Sequence, residues 1–207
     1  QEEFTVGRYI GPACKLCRRE GKQLNLKGER CTSSKCAFLS RNYAPGQHGA
    51  NPAKLTNYGQ QLREKQKVKR IYGILESQFR KIFFEASRMR GVCGENLLQL
   101  LERRLDNVVY RMGIVSSRKA ARQVVRHGHI TVNGKKVDIP SFVVKLNDEV
   151  ALIEKMKENT VVVNSFERPV TNVPAWLECN REARKAVVSA MPARQDLDYE
   201  VAENLIV

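Results

Sequence analysis

SSRKAARQVVRHGHITVNGKKVDI, residues 116–139, changes its period midway, and that change decides the fold class. Up to Gly128, Ala120, Ala121, Val124 and Val125 recur at helical spacing, while Arg118, Lys119, Arg122 and Arg126 take the opposite side. Ser116-Ser117 supplies an N-terminal cap and Gly128 a stop. Beyond Gly128 the period drops to two. Ile130 and Val132 flank Thr131, Asn133-Gly134 is a strong hairpin signal, and Val137 and Ile139 resume the alternation on a return strand. A helix with a basic outer face therefore runs into a short antiparallel pair whose tip carries Lys135 and Lys136. Cations from helix and hairpin converge on one side.

Upstream, Leu97, Leu98, Leu101, Leu105, Val108, Val109 and Met112 step by three and four to Gly113, which predicts one amphipathic helix. Before it, 57–90 reads as helical. Leu75, Phe79, Ile82, Phe83 and Ala86 share one face, and 62–71 forms a basic stretch with one narrow buried edge. That stretch sets Arg63, Lys65, Lys67, Lys69 and Arg70 against Glu64 alone, a spacing that repels itself unless something anionic lies nearby. Downstream, a second strand pair is expected over 142–144 and 150–153 about a turn at Asn147-Asp148, a further strand over 160–163, and a short helix over 181–190. Trp176 and Leu177 are expected to anchor the tail on an earlier element. The pattern predicts an α+β fold: helices followed by a small antiparallel sheet.

The 207 residues hold 36 Lys and Arg against 22 Asp and Glu, a formal net charge of +14. The first 150 carry a net +16 and the last 57 a net −2, so a surface facing a polyanion is confined to the first three quarters. No apolar run approaches the roughly 18 residues of a membrane span. Residues 1–6 carry two acids and no apolar stretch, so neither a secretory signal nor an Arg-rich transit peptide is expected, and the cytoplasm is the expected compartment.

Segment 7–52 is rich in Gly, Cys, Pro and Arg without a sustained apolar period, so something other than a core must order it. Four of the six cysteines lie there, Cys14, Cys17, Cys31 and Cys36, spaced C-x2-C-x13-C-x4-C. Tetrahedral zinc needs four soft ligands gathered by tight turns, and ligation would order the segment directly. An iron–sulfur cluster is the competing reading. Disulfides are disfavoured without a secretory signal. His48, in a Pro-Gly-Gln-His-Gly turn, is read as an RNA or loop contact or as plain surface, and Cys93 and Cys179 as small buried hydrophobes.

Five separated motifs then point to a family: Gly7-Arg8-Tyr9-Ile10-Gly11-Pro12, Pro45-Gly46-Gln47-His48-Gly49, Leu62-Arg63-Glu64-Lys65-Gln66-Lys67, Arg104-Leu105-Asp106-Asn107-Val108-Val109-Tyr110-Arg111 and His127-Gly128-His129-Ile130-Thr131-Val132-Asn133-Gly134. In order and over essentially the whole chain they resemble the bacterial small-subunit ribosomal protein S-four family. About 103–153 also resembles the widely reused RNA-binding domain named after it. The resemblance implies architectural binding of small-subunit (16S) rRNA at a five-helix junction of the 5′ domain early in assembly. It further implies a place beside the channel through which mRNA enters, neighbours S-five and S-three, and an influence on decoding accuracy. Some members repress their own message, a property no residue here argues for. Some hold zinc through four N-terminal cysteines and others lack them, and this chain resembles the former.

The organisation so implied is an irregular zinc-holding segment over 1–52, a helical domain over 53–98, an RNA-binding domain over 99–177, and a segment over 178–207 returning to the helical domain. Candidate RNA contacts are Arg8, Tyr9, Arg18, Arg19, His48, Arg63, Lys65, Lys67, Lys69, Arg70, Arg104, Arg111, Arg118, Lys119, Arg122, Arg126, His127, His129, Lys135 and Lys136. No catalytic residue is expected. A pseudouridine synthase or tRNA ligase carrying the same module would need a catalytic domain that the 57 residues after 150 are too few to build. A DNA-binding zinc protein would need a recognition helix after its ligands, where 42–52 reads as loop. Asp106 is read as a helix-anchoring acid and Asp138 as a strand-end residue.

Overall fold

The computed structural model describes residues 9–51, 54–157, 173–197 and 199–206. Arg8 and the strand expected over 160–163 lie outside the described residues. The N-terminal part, expected to be irregular and without a core, instead forms three short helices, α1 (Ala13–Glu20), α2 (Glu29–Thr32) and α3 (Ala37–Ser40), and its Ala13, Cys17, Leu24 and Leu26 pack into the core of the helical part. Next come α4 (Asn57–Tyr72) and α5 (Glu76–Arg88). Thr56 Oγ1 caps α4 by accepting the Gly59 N–H at 3.1 Å, and Gly73 closes it at φ 64°, the left-handed conformation that glycine adopts without strain. The helical stretch expected over 57–90 is thus broken at Gly73, and Leu75 is the cap of α5 rather than part of its face.

The single helix expected over 97–112 is corrected to two, α6 (Cys93–Glu102) and α7 (Leu105–Arg111). Arg104 between them is extended and bridges Val143, and the Leu105 N–H donates to the Phe142 carbonyl at 2.8 Å. The heptad-like stepping persists across the break because its two halves serve different cores. Leu97, Leu98 and Leu101 pack with Val68, Ile71, Tyr72 and Phe79. Leu105, Val108, Val109 and Met112 pack with Val125, Ile130, Val150 and Trp176.

Helix α8 (Arg118–Arg126) begins where Ser117 Oγ accepts the Ala120 N–H at 3.3 Å. It leads into β1 (Ile130–Val132) and β2 (Lys135–Lys136), with Thr131 opposite Lys136 and Val132 opposite Lys135. The return strand is shorter than its alternation suggested, and Ile139 is exposed. β3 (Glu149–Leu152) pairs antiparallel with β1, whereas 142–144 contributes only the bridge to Arg104. A helical turn, α9 (Glu154–Lys157), follows.

The helix expected over 181–190 is instead a hairpin, β4 (Leu177–Asn180) and β5 (Lys185–Val188). Burial along β5 alternates, and Asn180 Oδ1 accepts the Ala183 N–H at 3.0 Å in the connecting turn. Buried β-branched Val188 and its partners favour a pleated surface over a helix. The sheet runs β2-β1-β3-β5-β4, antiparallel throughout. The return of the tail to the helical core therefore starts after β5, not at 178, with Leu197, Tyr199, Val201 and Ile206 packed there. Trp176, 1% exposed, anchors the hairpin as expected. Among the described residues no helix is long and apolar enough to cross a membrane.

Candidate RNA-binding surface

The exposed cations gather where α8 ends against the hairpin tip. Arg126, His127, Lys135 and Lys136 are all exposed. Gly128 makes the convergence possible. At φ 70° it turns the chain out of α8, and a Cβ there would lie 2.1 Å from Lys136 Cε, so only glycine lets the Lys136 chain lie across the turn. The His127 and His129 rings meet edge to face at 5.9 Å. Burial, with the nearby His127 and Lys136 charges, lowers the His129 pKa from its ordinary value.

Elsewhere most candidate cations are held by internal partners. On α4, Arg63 Nη1 lies 3.4 Å from Glu20 Oε1 and Arg70 contacts the same carboxylate. Lys65 and Lys69 donate to the two oxygens of Glu76 at 2.7 and 2.9 Å. The self-repulsion evident in 62–71 is thus relieved from α1 and α5, and each of these four side chains stays 19–30% exposed. Lys67 is a correction: it is buried against Glu64 at 2.5 Å.

Arg104 and Arg111 are further corrections. Arg104, 2% exposed, forks onto Asp106 at 3.1 and 2.9 Å. Arg111, 3% exposed, forks onto Glu102 at 3.0 Å to each oxygen. Glu102 also accepts from Tyr72 Oη at 2.5 Å and Asn107 Nδ2 at 2.9 Å. Burial opposes its charge, but the Arg111 guanidinium, the Arg118 charge and the Tyr72 hydroxyl together outweigh it and hold the carboxyl below its ordinary range. Both arginines face the interior, Arg104 paired within the first turn of α7 and Arg111 joining α7 to α6.

On α8, Arg118 Nε donates to Asn107 Oδ1 at 2.8 Å, and the guanidinium lies over the rings of Tyr110 and Tyr72 at 4.4 and 5.3 Å. Arg122 reaches Asp106 at 3.2 Å, and Lys119 Nζ lies over the exposed Tyr9 ring at 5.8 Å. Asp106 is thereby the helix anchor that its position suggested. In the N-terminal part, Arg18 donates to the Tyr43 carbonyl at 3.0 Å and lies over its ring, which fixes the loop that carries His48 outward. Arg19 is exposed.

All four N-terminal cysteines are free thiols, with Cys17, Cys31 and Cys36 buried and Cys14 partly so. Burial raises the pKa of Cys17 and Cys31, opposed by N–H donation from Leu24 and Lys27 respectively, and each thiol also senses the charge of other members of the set. The Lys27 N–H lies 3.3 Å from Cys31 Sγ. Soft sulfur donors flanked by amide donors are the chemistry that suits a thiophilic cation. Among the described residues, however, no group of three or more His, Cys, Asp or Glu side chains is arranged to hold a metal ion. Cys93 and Cys179 pack at the edges of the two cores, and burial pushes Cys179 up to about 11.

The carboxylates Glu20, Glu76 and Glu102, which organise these cations, carry no signal in the local sequence, because each pairs across elements. The arrangement presents positive charge whose direction is set by these carboxylates.

Comparison with known proteins agrees with this surface. Residues 8–102 match the family model described as ribosomal protein S4/S9 N-terminal domain, and residues 103–150 match the S4 domain. The chain is 57% identical over 202 residues to the small ribosomal subunit protein uS4 of Thermoanaerobacter sp. (strain X514), covering 98% of either chain. The uS4 of Clostridioides difficile (strain 630) is also 57% identical, and the uS4A of Clostridium perfringens (strain 13 / Type A) is 58% identical, at the same coverage.

Proposed function

From the premise that this chain belongs to the small ribosomal subunit protein uS4 family, and is thereby a structural, non-enzymatic, rRNA-binding constituent of the cytoplasmic small subunit, we propose that it grips a multi-helix junction in the 5′ domain of small-subunit rRNA early in assembly. The observation that carries this reading is the cluster of exposed cations where α8 ends beside the hairpin, Arg126, Lys135 and Lys136, with the paired histidines, on a frame made of two cores. A folded junction crowds phosphates from several helices, and a binder need match only their charge and spacing. Base readout is minor on this reading, and the affinity falls steeply with salt as counterions are released.

The same reading places neighbouring small-subunit proteins S-five and S-three against the molecule, sets it beside the channel through which mRNA enters, and gives it an influence on decoding accuracy. It also assigns one zinc ion to Cys14, Cys17, Cys31 and Cys36, supported by the donor chemistry and by the amide at Cys31 Sγ. Zinc there would cross-link α1 to α2 and α3.

The test is filter binding of the full chain to a 5′-domain transcript across a potassium chloride series, with duplex DNA as competitor. Tight binding to the transcript, steep salt dependence and weak competition are expected. Equal affinity for transcript and duplex DNA would sink the reading.

A further inference from the structure

A cleft of about 300 Å³ opens between Tyr9, the joint that links α4 to α5, and α8. Its volume sits at the low end of ligand pockets, roughly 300–1,000 Å³, so it admits one nucleotide and no helix. The walls divide by chemistry. Leu26, Ile71, Ile74 and Leu75 give an apolar floor, and the half-exposed Tyr9 ring and the edge of Tyr72 stand beside it. Lys69, Arg70, Arg118, Lys119 and Arg122 ring the mouth, and no carboxylate among the described residues lines it. The acids that hold Lys69, Arg70 and Arg122 are Glu76, Glu20 and Asp106, none of which lines the cleft, so these lining cations are ordered before any ligand arrives.

An apolar slot with an aromatic face and a cationic rim has the complementarity of a nucleotide, whose base is flat and apolar on its faces and whose phosphate is anionic. RNA readers commonly stack splayed bases on aromatic rings and guanidinium planes. Arg118 is already engaged with Tyr110 and Tyr72, so it adds charge to the cleft while the Tyr9 ring supplies the stacking face. Gly73 closes α4 here in the left-handed conformation, so the wall at the joint is bare backbone.

We propose that this cleft captures a single unstacked nucleotide of the bound RNA, its base against Tyr9 and the apolar floor and its phosphate at the cationic rim. This rests on the rRNA-binding reading above and adds a base-accepting site to a surface otherwise explained by phosphates alone. Gln66 lines the cleft from the accessible side of α4, so Gln66→Trp fills it without entering either core.

The test measures affinity for the 5′-domain transcript, and its salt slope, for wild type, Gln66→Trp, Tyr9→Ala and Tyr9→Phe, with circular dichroism melts to confirm folding. Gln66→Trp and Tyr9→Ala should each weaken binding by roughly tenfold; Tyr9→Ala, which removes only the stacking ring, should leave the slope unchanged, and Gln66→Trp should flatten it by no more than about one, the single phosphate it displaces from the rim. Tyr9→Phe should bind as wild type, because the ring and not the hydroxyl stacks. Ultraviolet cross-linking of wild type should join a cleft residue to one unpaired nucleotide. If folded Gln66→Trp binds as wild type, or folded Tyr9→Ala weakens binding only with a flatter slope, the cleft holds no base. If wild type itself ignores the transcript, the parent reading fails, an outcome distinct from that one.

Discussion

Replacing Glu102 by Leu gives the sharpest test of how the two cores are joined. Glu102 sits at the end of α6, and its carboxylate, 1% exposed, takes four hydrogen bonds: two from Arg111 on α7, one from Tyr72 on α4 and one from Asn107 on α7. Tyr72 also meets Tyr199 of the tail through their hydroxyls. Removing the carboxylate strands the Arg111 charge in the interior, which typically costs about 3–5 kcal/mol. For a chain of this size that lowers the melting temperature by about 6–20 °C. Adding Arg111→Met removes the stranded charge and should return most of the loss. What remains is small, because Asn107 Nδ2 keeps the Glu102 backbone carbonyl at 2.9 Å and Tyr72 keeps Tyr199. Urea unfolding followed by far-ultraviolet circular dichroism and by Trp176 fluorescence, one probe for the helices and one for the second core, measures the cycle. A single substitution costing under about 1 kcal/mol, or a double whose cost equals the sum of the singles, refutes the claim that this ion pair is the joint.

Three further outcomes rest on the same contacts and surfaces. Replacing Arg126, Lys135 and Lys136 together by Gln should flatten the logarithmic salt slope of transcript binding by about two to three and leave the melting temperature within about 2 °C, as these side chains are exposed; an unchanged slope removes this face from the interface. Because the Glu102 carboxyl is held below its ordinary value of 4.5, its stabilising contribution is complete above that pH and disappears as pH falls through the folded value, so acid melts of wild type should lose more stability there than those of the double variant carrying Glu102→Leu and Arg111→Met; parallel acid curves would contradict the assignment. Native mass spectrometry should find one zinc per chain, lost when Cys14, Cys17, Cys31 and Cys36 are all replaced by Ser, and full zinc retained by that variant would clear these residues as ligands.

The sequence shows α8 and the β1–β2 turn clearly because each is set by local chemistry: a Ser117 cap, a four-residue apolar face, and Asn133-Gly134 at positive φ. It conceals the break at Arg103-Arg104, since the apolar stepping runs straight from one core into the next. What ends α6 is a bridge to Val143, some forty residues away, and no local pattern announces it. The β4–β5 hairpin is hidden for a related reason. Residues 181–190 contain Arg, Glu and Ala, which favour a helix, and only the vacant edge of β3 draws Lys185–Val188 into a strand. The site behaves alike: exposed cations at a turn are visible in sequence, while Arg104 and Arg111 look the same on paper yet face inward because Asp106 and Glu102 meet them there.

Those inward pairs bear on how the outer cations work. A free Lys or Arg gives up about 1.5–2 kcal/mol of rotamer freedom when it is fixed on a phosphate. Glu20 and Glu76 already hold Arg63, Arg70, Lys65 and Lys69 in place; Glu20 is only 1% exposed, whereas Glu76 is 35% exposed, so the Lys65 and Lys69 pairs are partly hydrated and each is worth no more than about 1 kcal/mol. Sharing such a cation with a phosphate therefore sacrifices little, while the ordering is complete before contact. The acids weaken each long-range attraction and sharpen its geometry, which is the balance a binder needs when its target is the shape of a folded RNA rather than its charge alone.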